Sequence, residues 1–130
     1  MTEGGKKDDN GKPRFDLIPS EPLLGVMACF AIGGEKYGDK NYTNGIKYSR
    51  YYNATYRHLI AWWGGEECDP EDGIHHLDHV ATNAMLLRDL MRTCPNHDDR
   101  PHNQKPLEER LQERGLLGED SVPCESVQRG

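Results

Sequence analysis

The chain has 130 residues, carries a formal net charge of -6 at pH 7 and is 35% hydrophobic. A chain of this length supports one hydrophobic core, so we expect a single domain and not a two-domain enzyme. The hydrophobic fraction is low for a globular domain, which indicates that only part of the chain builds that core. The acidic balance and the absence of a Lys/Arg block argue against binding to a nucleic-acid backbone, because basic side chains must neutralise the phosphates.

No segment predicts export or membrane insertion. The longest apolar stretch, residues 23–32, is far shorter than the roughly 20 residues that cross a bilayer. The first residues are polar and lack the apolar core of a signal peptide. The four cysteines are scattered without a Cys-x-x-Cys pair, which is typical of reduced thiols. We therefore expect a soluble, cytoplasmic protein.

The first half of the chain predicts two helices. Residues 1–11 are expected to form a flexible arm, because they contain almost nothing apolar to bury. Ser20, Pro22 and the apolar spacing that follows predict a first helix over residues 21–37, with Gly38 as its end. Ser49 is expected to cap a second helix, rich in Tyr and Trp, that ends at Gly64.

The second half predicts a longer helix and a tail. Asp69 and Pro70 favour a helix start, so a third and longest helix is expected over residues 70–93, closed by Pro95. Residues 95–130 are expected to be a polar tail with one short helix over 107–114. No alternating strand pattern is visible, so the predicted fold class is all-α, with three main helices in a domain over residues 12–94. Three helices with little apolar mass are marginal alone, and we expect a homo-oligomer that buries the aromatic helix.

The start of the third predicted helix combines acids with histidines. Six acidic residues lie between Glu66 and Asp78 without one Lys or Arg among them. On a helix, Asp72, His75, His76, His79 and Asn83 share one face, which becomes apolar further along, whereas Asp78 points the other way and is expected in solvent. Any one of these histidines also fits a buried imidazole without a functional role. Together they indicate a cation or catalytic site.

Two further positions carry chemistry. Glu35 extends a mainly apolar stripe of the first helix, where a charge requires a cation or a partner. The alternative is that Glu35 lies in water beside Lys36, at a frayed helix end. On the second helix, Trp62 lies one turn after His58. Such an aromatic side chain either stacks on a nucleobase or packs in the interior.

The donor types allow several metals. Carboxylates suit Mg²⁺ or Mn²⁺, and imidazoles make Mn²⁺ or Zn²⁺ equally worth considering. A structural zinc site would take Cys68, His75 and His79, although this spacing matches no zinc finger. The chain contains no Walker loop, nucleophile elbow or dinucleotide fingerprint.

Several segments together resemble a known family. They are Lys12-Pro-Arg-Phe-Asp-Leu-Ile-Pro19, Gly34-Glu-Lys-Tyr-Gly38 with Asn41, Arg57-His-Leu-Ile-Ala-Trp-Trp63, Gly65-Glu66 with Asp69, and His76-Leu-Asp-His79 with Asn83. In combination they resemble the phage dATP/dGTP diphosphohydrolases, which are MazG-like enzymes. The resemblance implies an all-α enzyme that cleaves a purine (d)NTP, dGTP or GTP first and dATP as the alternative, to (d)NMP and pyrophosphate. It also implies a homodimer or homotetramer that uses Mg²⁺ or Mn²⁺ and controls a phage's nucleotide pool in the host cytoplasm.

The resemblance also suggests roles for individual residues. The wider MazG-like pattern places Glu-x-x-Glu on one helix and Glu-x-x-Asp on the next. This chain lacks the first motif, and Glu66 to Asp69 has the spacing of the second across a helix break. The expected metal ligands are Glu35, Glu66, Asp69 and His79, and the expected catalytic residues are Glu35, His76 and His79. The expected substrate-binding residues are Lys36, Arg57, His58, Trp62 and Asn83, with Lys12 or Arg14 as further contacts to phosphate.

Two alternatives of other classes stay open from the sequence. A His/Asp-type metal phosphohydrolase would release triphosphate from a nucleoside triphosphate. A non-enzymatic acidic phage protein would instead use the acidic second half as an interaction surface. Neither alternative requires contact with nucleic acid or a membrane.

Overall fold

In a computed structural model, residues 4–101 and 105–118 are described, and their regular structure is helical. The helices are α1 (Ser20–Tyr37), α2 (Tyr48–Trp63), α3 (His76–Thr93) and α4 (Leu107–Glu113), with short 3-10 turns at Phe15–Leu17, Asn41–Asn44 and Pro95–His97. Over these residues the only β pairing is an isolated bridge between Cys68 and His75. The predicted all-α class with three main helices is therefore confirmed. Cys124 and the end of the predicted tail lie outside the described residues.

The chain forms two compact units, one that ends at Asp99 and one that begins at Arg100. The second unit contains α4, which matches the short helix expected over residues 107–114. The first unit contains α1, α2 and α3 and every residue of the candidate site described below. None of the helices in the described ranges is both long enough and apolar enough to span a membrane.

The expected bounds of helix α1 are confirmed to within one residue, but its N-cap is Pro19 and not Ser20. It begins directly after Pro19, one residue before the expected start, and it ends where Gly38 donates its N–H to the Gly34 carbonyl. Gly38 has a φ of +93°, a backbone conformation that favours glycine because it lacks a Cβ atom. The end of this helix is therefore decided locally.

Helix α2 begins one residue earlier than its expected cap. Ser49 lies in the first turn rather than before it, since the helix starts at Tyr48. The backbone N–H of Ser49 donates to Asp99 Oδ1 at 2.9 Å, and the Ser49 hydroxyl also contacts the Asp99 carboxylate. The Ser49 N–H at this helix start thus finds an acceptor about 50 residues along the chain. No local pattern indicates this contact.

The predicted start of the third helix is wrong. Helix α3 begins at His76 instead of residue 70, so it has 18 residues and is no longer than α1. The Asp69 carboxylate accepts the N–H of Glu71 at 2.9 Å, and Asp72 accepts the N–H of Ile74 at 2.9 Å. Asp side chains that bond to the backbone two residues on form turns, and they use the same residue types as helix caps. Residues 64–75 are consequently a loop.

The three long helices pack with α3 between α1 and α2. The buried core contains Tyr48, Leu90 and Cys94, with Tyr51 and Leu87 packed against it. The Tyr48 hydroxyl donates to the carbonyls of Leu90, at 2.9 Å, and Cys94, at 3.1 Å. This residue therefore joins the start of α2 to the end of α3.

Asp78 lies where α1 crosses α3, and the expectation that it points into solvent is wrong. Its side chain is half-buried and lies so close to Gly25 that a Cβ atom there would overlap the carboxylate. Thr82, one turn further on α3, is buried. The close approach requires glycine at position 25, because any side chain there would push the helices apart.

A row of apolar side chains along α2 stays exposed. Tyr52, Tyr56, Ile60 and Trp63 recur at helical spacing, and Trp63 is 83% exposed. Contiguous exposed apolar faces of this kind commonly mark interaction sites. Burial of this face in a homo-oligomer stays a prediction.

Candidate functional site

Three side chains from separate elements converge beside the loop between α2 and α3. One ligand atom each from His58 on α2, Asp69 in the loop and His79 on α3 lie within 4.8 Å of one another. The side chains are 17%, 19% and 17% exposed, respectively. Two imidazoles and a carboxylate this close together form a donor set that a divalent cation can bind.

A second carboxylate, that of Asp72, completes the cluster. Its Oδ2 atom lies 2.9 Å from His79 Nε2, yet Nε2 is buried and has no hydrogen-bond partner. At this distance the carboxylate must lie off the line along which an Nε2–H bond would point. A buried nitrogen without a hydrogen bond, beside two carboxylates, fits a bound cation. The residues present therefore fit a divalent metal.

Glu66, His76 and His58 form a chain of side-chain contacts. His76 is 4% exposed, its Nε2 lies 2.7 Å from Glu66 Oε1, and its Nδ1 lies 2.8 Å from His58 Nδ1. A carboxylate oxygen accepts hydrogen bonds, so His76 Nε2 donates to Glu66 Oε1. The chain Glu66–His76–His58 holds the His58 ring through Nδ1, the nitrogen that also lies 4.0 Å from Asp69 Oδ2.

The two stacked imidazoles have opposite pKa shifts. The rings of His58 and His79 are parallel within 4°, with centroids 4.2 Å apart. His79 Nδ1 lies 3.5 Å from Cys29 Sγ, and this hydrogen bond is the largest influence on the pKa of His79. Together with Asp72 it outweighs the effect of burial and raises the pKa of His79 to about 9. Burial, followed by the charges of His79 and His76, lowers the pKa of His58. The cluster thus carries its positive charge on His79 at neutral pH, and a metal ligated by His79 must displace that proton.

The carboxylate of Asp72 is held in its charged form. Burial is the largest influence and acts to raise its pKa. The backbone N–H of Ile74 and the His79 ring act together in the opposite direction, and the net pKa is lowered. Asp72 is therefore ionised at neutral pH and is available to a cation.

The structure brings together some of the residues expected from the sequence. Asp69 and His79, expected metal ligands, lie in the cluster, where they are joined by His58, which was expected to bind substrate. Glu66 and His76 are connected to His58 through its Nδ1. Asn83 is half-buried on α3, one turn after His79.

Other expected residues lie apart from the cluster. Glu35, Arg57 and Trp62 are exposed on α1 and α2, and none belongs to the group of convergent donors within the described residues. Lys36 reaches across to the loop, where its Nζ lies 3.2 Å from Glu71 Oε1. Lys12 and Arg14 are exposed; Arg14 pairs with Asp16, and Lys12 Nζ donates to the Asp8 carbonyl.

The structural zinc alternative does not assemble. Cys68 is exposed, and His75 Nδ1 caps α3 by accepting the N–H of Leu77 at 3.0 Å. Neither residue joins His79 in the convergent donor group of the described residues.

The sequence did not indicate Cys29. This residue lies on α1, 50 positions before the histidine that it contacts, and no local pattern connects the two. The sequence placed Asp72 on one predicted helix face with the histidines. In the structure Asp72 lies in a turn before α3 instead.

A cavity of about 550 Å³ adjoins the cluster. Its walls come from the last turns of α1, the turn at Asn41–Asn44, and the facing sides of α2 and α3. Cys29, which contacts His79, is part of the wall, as is Thr82 on the next turn of α3. The cluster and the cavity are therefore adjacent.

Comparison with known proteins places these features in a family. Residues 2–100 match the family model described as dATP/dGTP diphosphohydrolase, N-terminal. A protein of Salmonella phage PMBT28, named dATP/dGTP diphosphohydrolase, is 35% identical over 96 residues, which cover 74% of this chain and 33% of that protein. The chain thus spans about a third of the length of this relative. No solved structure matches. The matched residues include the whole donor cluster, and the chain belongs to the dATP/dGTP diphosphohydrolase N-terminal family.

Proposed function

We propose that this chain is a metal-dependent nucleoside triphosphate diphosphohydrolase that converts a purine (d)NTP to (d)NMP and pyrophosphate. The observation that carries the proposal is the convergence of His58, Asp69 and His79 in a chain of this family. The Salmonella phage relative is named for dATP and dGTP, and we extend these substrates to this chain, with dGTP or GTP as the first candidates. Removal of such a nucleotide would serve control of the nucleotide pool in a phage-infected cell.

The proposed metal ligands are His58, Asp69 and His79, with Asp72 beside them. Imidazole donors suit Mn²⁺ better than Mg²⁺, which prefers oxygen ligands and retains its water. A divalent cation bound there would screen the phosphate charges and lower the pKa of a nearby water. This set replaces Glu35 and Glu66 of the sequence-based ligand set, because Glu35 is exposed and Glu66 contacts His76.

The protein's own residues perform the remaining tasks. Hydrolysis adds water across the bond between the α-phosphorus and its bridging oxygen, and pyrophosphate leaves with that oxygen. Glu66 and His76 hold His58 in place. The proposed contacts to the phosphates are Lys36 and the exposed Arg57. The ammonium group of Lys36 already reaches the loop, where it pairs with Glu71. Asn83 is the proposed hydrogen-bond partner of the sugar or a phosphate.

A second candidate function is favoured by the type of donor. The cluster contains two histidines and only one carboxylate within the 4.8 Å group, whereas the MazG-like pattern relies on several carboxylates. A His/Asp-type phosphohydrolase would cleave at the nucleoside side of the α-phosphate and release triphosphate. The products distinguish the two reactions.

The experiment is a product assay with purified protein. Each of the eight common (d)NTPs is incubated with Mn²⁺ or Mg²⁺, and the products are separated by ion-exchange chromatography. We expect pyrophosphate and a monophosphate from dGTP or dATP, and no product when EDTA removes the metal. Triphosphate with free nucleoside would establish the second candidate, and the absence of any product would refute both.

Metal binding is tested separately from activity. We expect the Asp69→Asn variant to bind Mn²⁺ about 10–100-fold more weakly in calorimetry, because it loses a charged ligand. Glu67→Gln is the matched control, since Glu67 is an exposed acid two positions away that lies outside the donor group. Equal Mn²⁺ affinity in the wild type and Asp69→Asn would refute the proposed ligand set.

The proposed assembly is a homodimer or homotetramer. Its basis is the exposed apolar row on α2 that contains Ile60, 68% exposed, and Trp63, 83% exposed. Burial of these side chains against a second copy would remove them from water.

A further inference from the structure

We propose that the cavity beside the donor cluster binds the nucleoside half of the substrate, with the purine ring among its aromatic side chains. This inference rests on the proposed function, because it assigns the position of the base in the same substrate. It departs from the sequence-based expectation that Trp62 stacks on the base.

The cavity has an aromatic lining that suits a planar aromatic ligand. On α1, Phe30, Gly33 and Tyr37 lie at positions i, i+3 and i+7, so they share one face, and all three line the cavity. Tyr42 meets Phe30 edge to face, with ring centroids 5.9 Å apart and planes at 69°. Tyr51 contributes a fourth aromatic ring, from α2. Aromatic side chains stabilise a bound purine by stacking on the flat face of the base.

The volume agrees with this occupant. About 550 Å³ lies within the range of roughly 300–1,000 Å³ that small-molecule and cofactor sites occupy. Three of the polar lining residues, Asp39, Lys40 and Asn41, lie in the segment that follows α1, and Thr82 lies on α3. An amide and a carboxylate provide the donors and acceptors that a purine edge can pair with.

The cavity also has the correct neighbour. Cys29 belongs to its wall, and Cys29 Sγ lies 3.5 Å from Nδ1 of His79 in the donor cluster. His58, Asp69 and His79 do not line the cavity themselves, so a ligand that is aromatic at one end and anionic at the other would extend from the cavity past Cys29 to reach them. A nucleoside triphosphate has this composition. Trp62 lies on α2 outside the cavity wall and does not offer such continuity.

Gly33 provides a test that fills the cavity without disturbing the fold. A Cβ atom at Gly33 would meet no atom within 4 Å, and its backbone φ lies in the ordinary range. A leucine there adds bulk to the wall, and replacement of a mid-helix glycine also favours the helix. Ala84→Leu is the matched control, because Ala84 is exposed on α3 and does not line the cavity.

The experiment measures two affinities by calorimetry in Mn²⁺. The probes are the non-hydrolysable α,β-methylene analogue of dGTP, which has a base, and inorganic tripolyphosphate, which lacks one. We expect Gly33→Leu to weaken binding of the dGTP analogue tenfold or more and to change the tripolyphosphate affinity less than twofold. Ala84→Leu should change neither. If Gly33→Leu does not fold, as judged by its melting curve, Ala31→Leu on the same wall is expected to give the same result.

The outcomes separate this inference from the proposed function. If the wild type binds the dGTP analogue and Gly33→Leu binds it equally well, the cavity is not the base site and the inference is overturned while the proposed function stands. The same conclusion follows if Trp62→Leu weakens binding tenfold and Gly33→Leu does not. If the wild type binds tripolyphosphate but not the analogue, the proposed function fails together with the inference.

Discussion

The substitution Tyr48→Phe tests how α2 and α3, which carry His58 and His79, are held in register. Tyr48 is 4% exposed, and its hydroxyl donates to the carbonyls of Leu90 and Cys94 at 2.9 and 3.1 Å. The variant keeps the buried ring and removes only this hydroxyl. It therefore isolates the hydrogen bond from the packing of the aromatic side chain.

The expected loss follows from what the two carbonyls retain. The Leu90 carbonyl still accepts the Cys94 N–H at 2.7 Å, and the Cys94 carbonyl still accepts the His97 N–H at 3.1 Å. Neither carbonyl is left unsatisfied, so the loss of free energy of unfolding is about 1 kcal/mol, the net value of a buried hydrogen bond. For a domain of this size, a loss of that order lowers Tm by roughly 4–8 °C.

The assay is thermal unfolding followed by circular dichroism at constant protein concentration. Tyr37→Phe is the control, because Tyr37 is 70% exposed and loss of an exposed hydroxyl is expected to change the stability by less than about 0.5 kcal/mol. A Tm for Tyr48→Phe equal to that of the control would refute the reasoning that this hydroxyl joins the two helices.

Two further predictions concern charge and assembly. The pKa of His79 is raised to about 9 in the folded protein, from 6.5 in the unfolded chain. In metal-free buffer, protonation of His79 therefore stabilises the fold fully below pH 6.5, and this contribution disappears as the pH rises through 9. The Cys29→Ala variant lacks the largest cause of the shift, so its Tm should fall less than that of the wild type between pH 6 and 9.5; an equal fall would contradict the role of Cys29. If the α2 row is the subunit interface, Trp63→Lys should convert an oligomer to a monomer in light scattering after size exclusion, and a monomeric wild type would contradict this expectation.

The helices were predictable to the extent that their ends are local. The start of α1 is confirmed to within one residue and its end at Gly38 is confirmed, although the N-cap is Pro19 and not Ser20. The start of α3 was not predictable, because Asp69 and Asp72 bond to backbone N–H groups in turns with the same side-chain chemistry that caps a helix. Only the path of the chain around them decides which of these two structures forms.

The sequence indicated which part of the chain carries the candidate site, but not which side chains form it. The density of acids and histidines after Glu66 indicated a cation site, and Asp69 and His79 do converge there. His58 was expected to bind substrate, and Glu66 was expected to be a ligand rather than a support for His76. Glu35 extended an apolar stripe, but α1 ends within one turn of it and leaves its carboxylate exposed.

The sequence by itself determined the all-α class and the three long helices, because periodicity and helix ends depend on neighbouring residues. Its local charge also indicated the part of the chain where acids and histidines gather. The tertiary structure alone decided that His58 stacks on His79, that Cys29 contacts His79 across 50 positions, and that a cavity opens beside them. These features depend on how α1, α2 and α3 cross, and the crossing is fixed by contacts such as Gly25 against Asp78 between residues far apart in the chain. Side-chain periodicity identifies the face of a helix, whereas only packing identifies what that face meets.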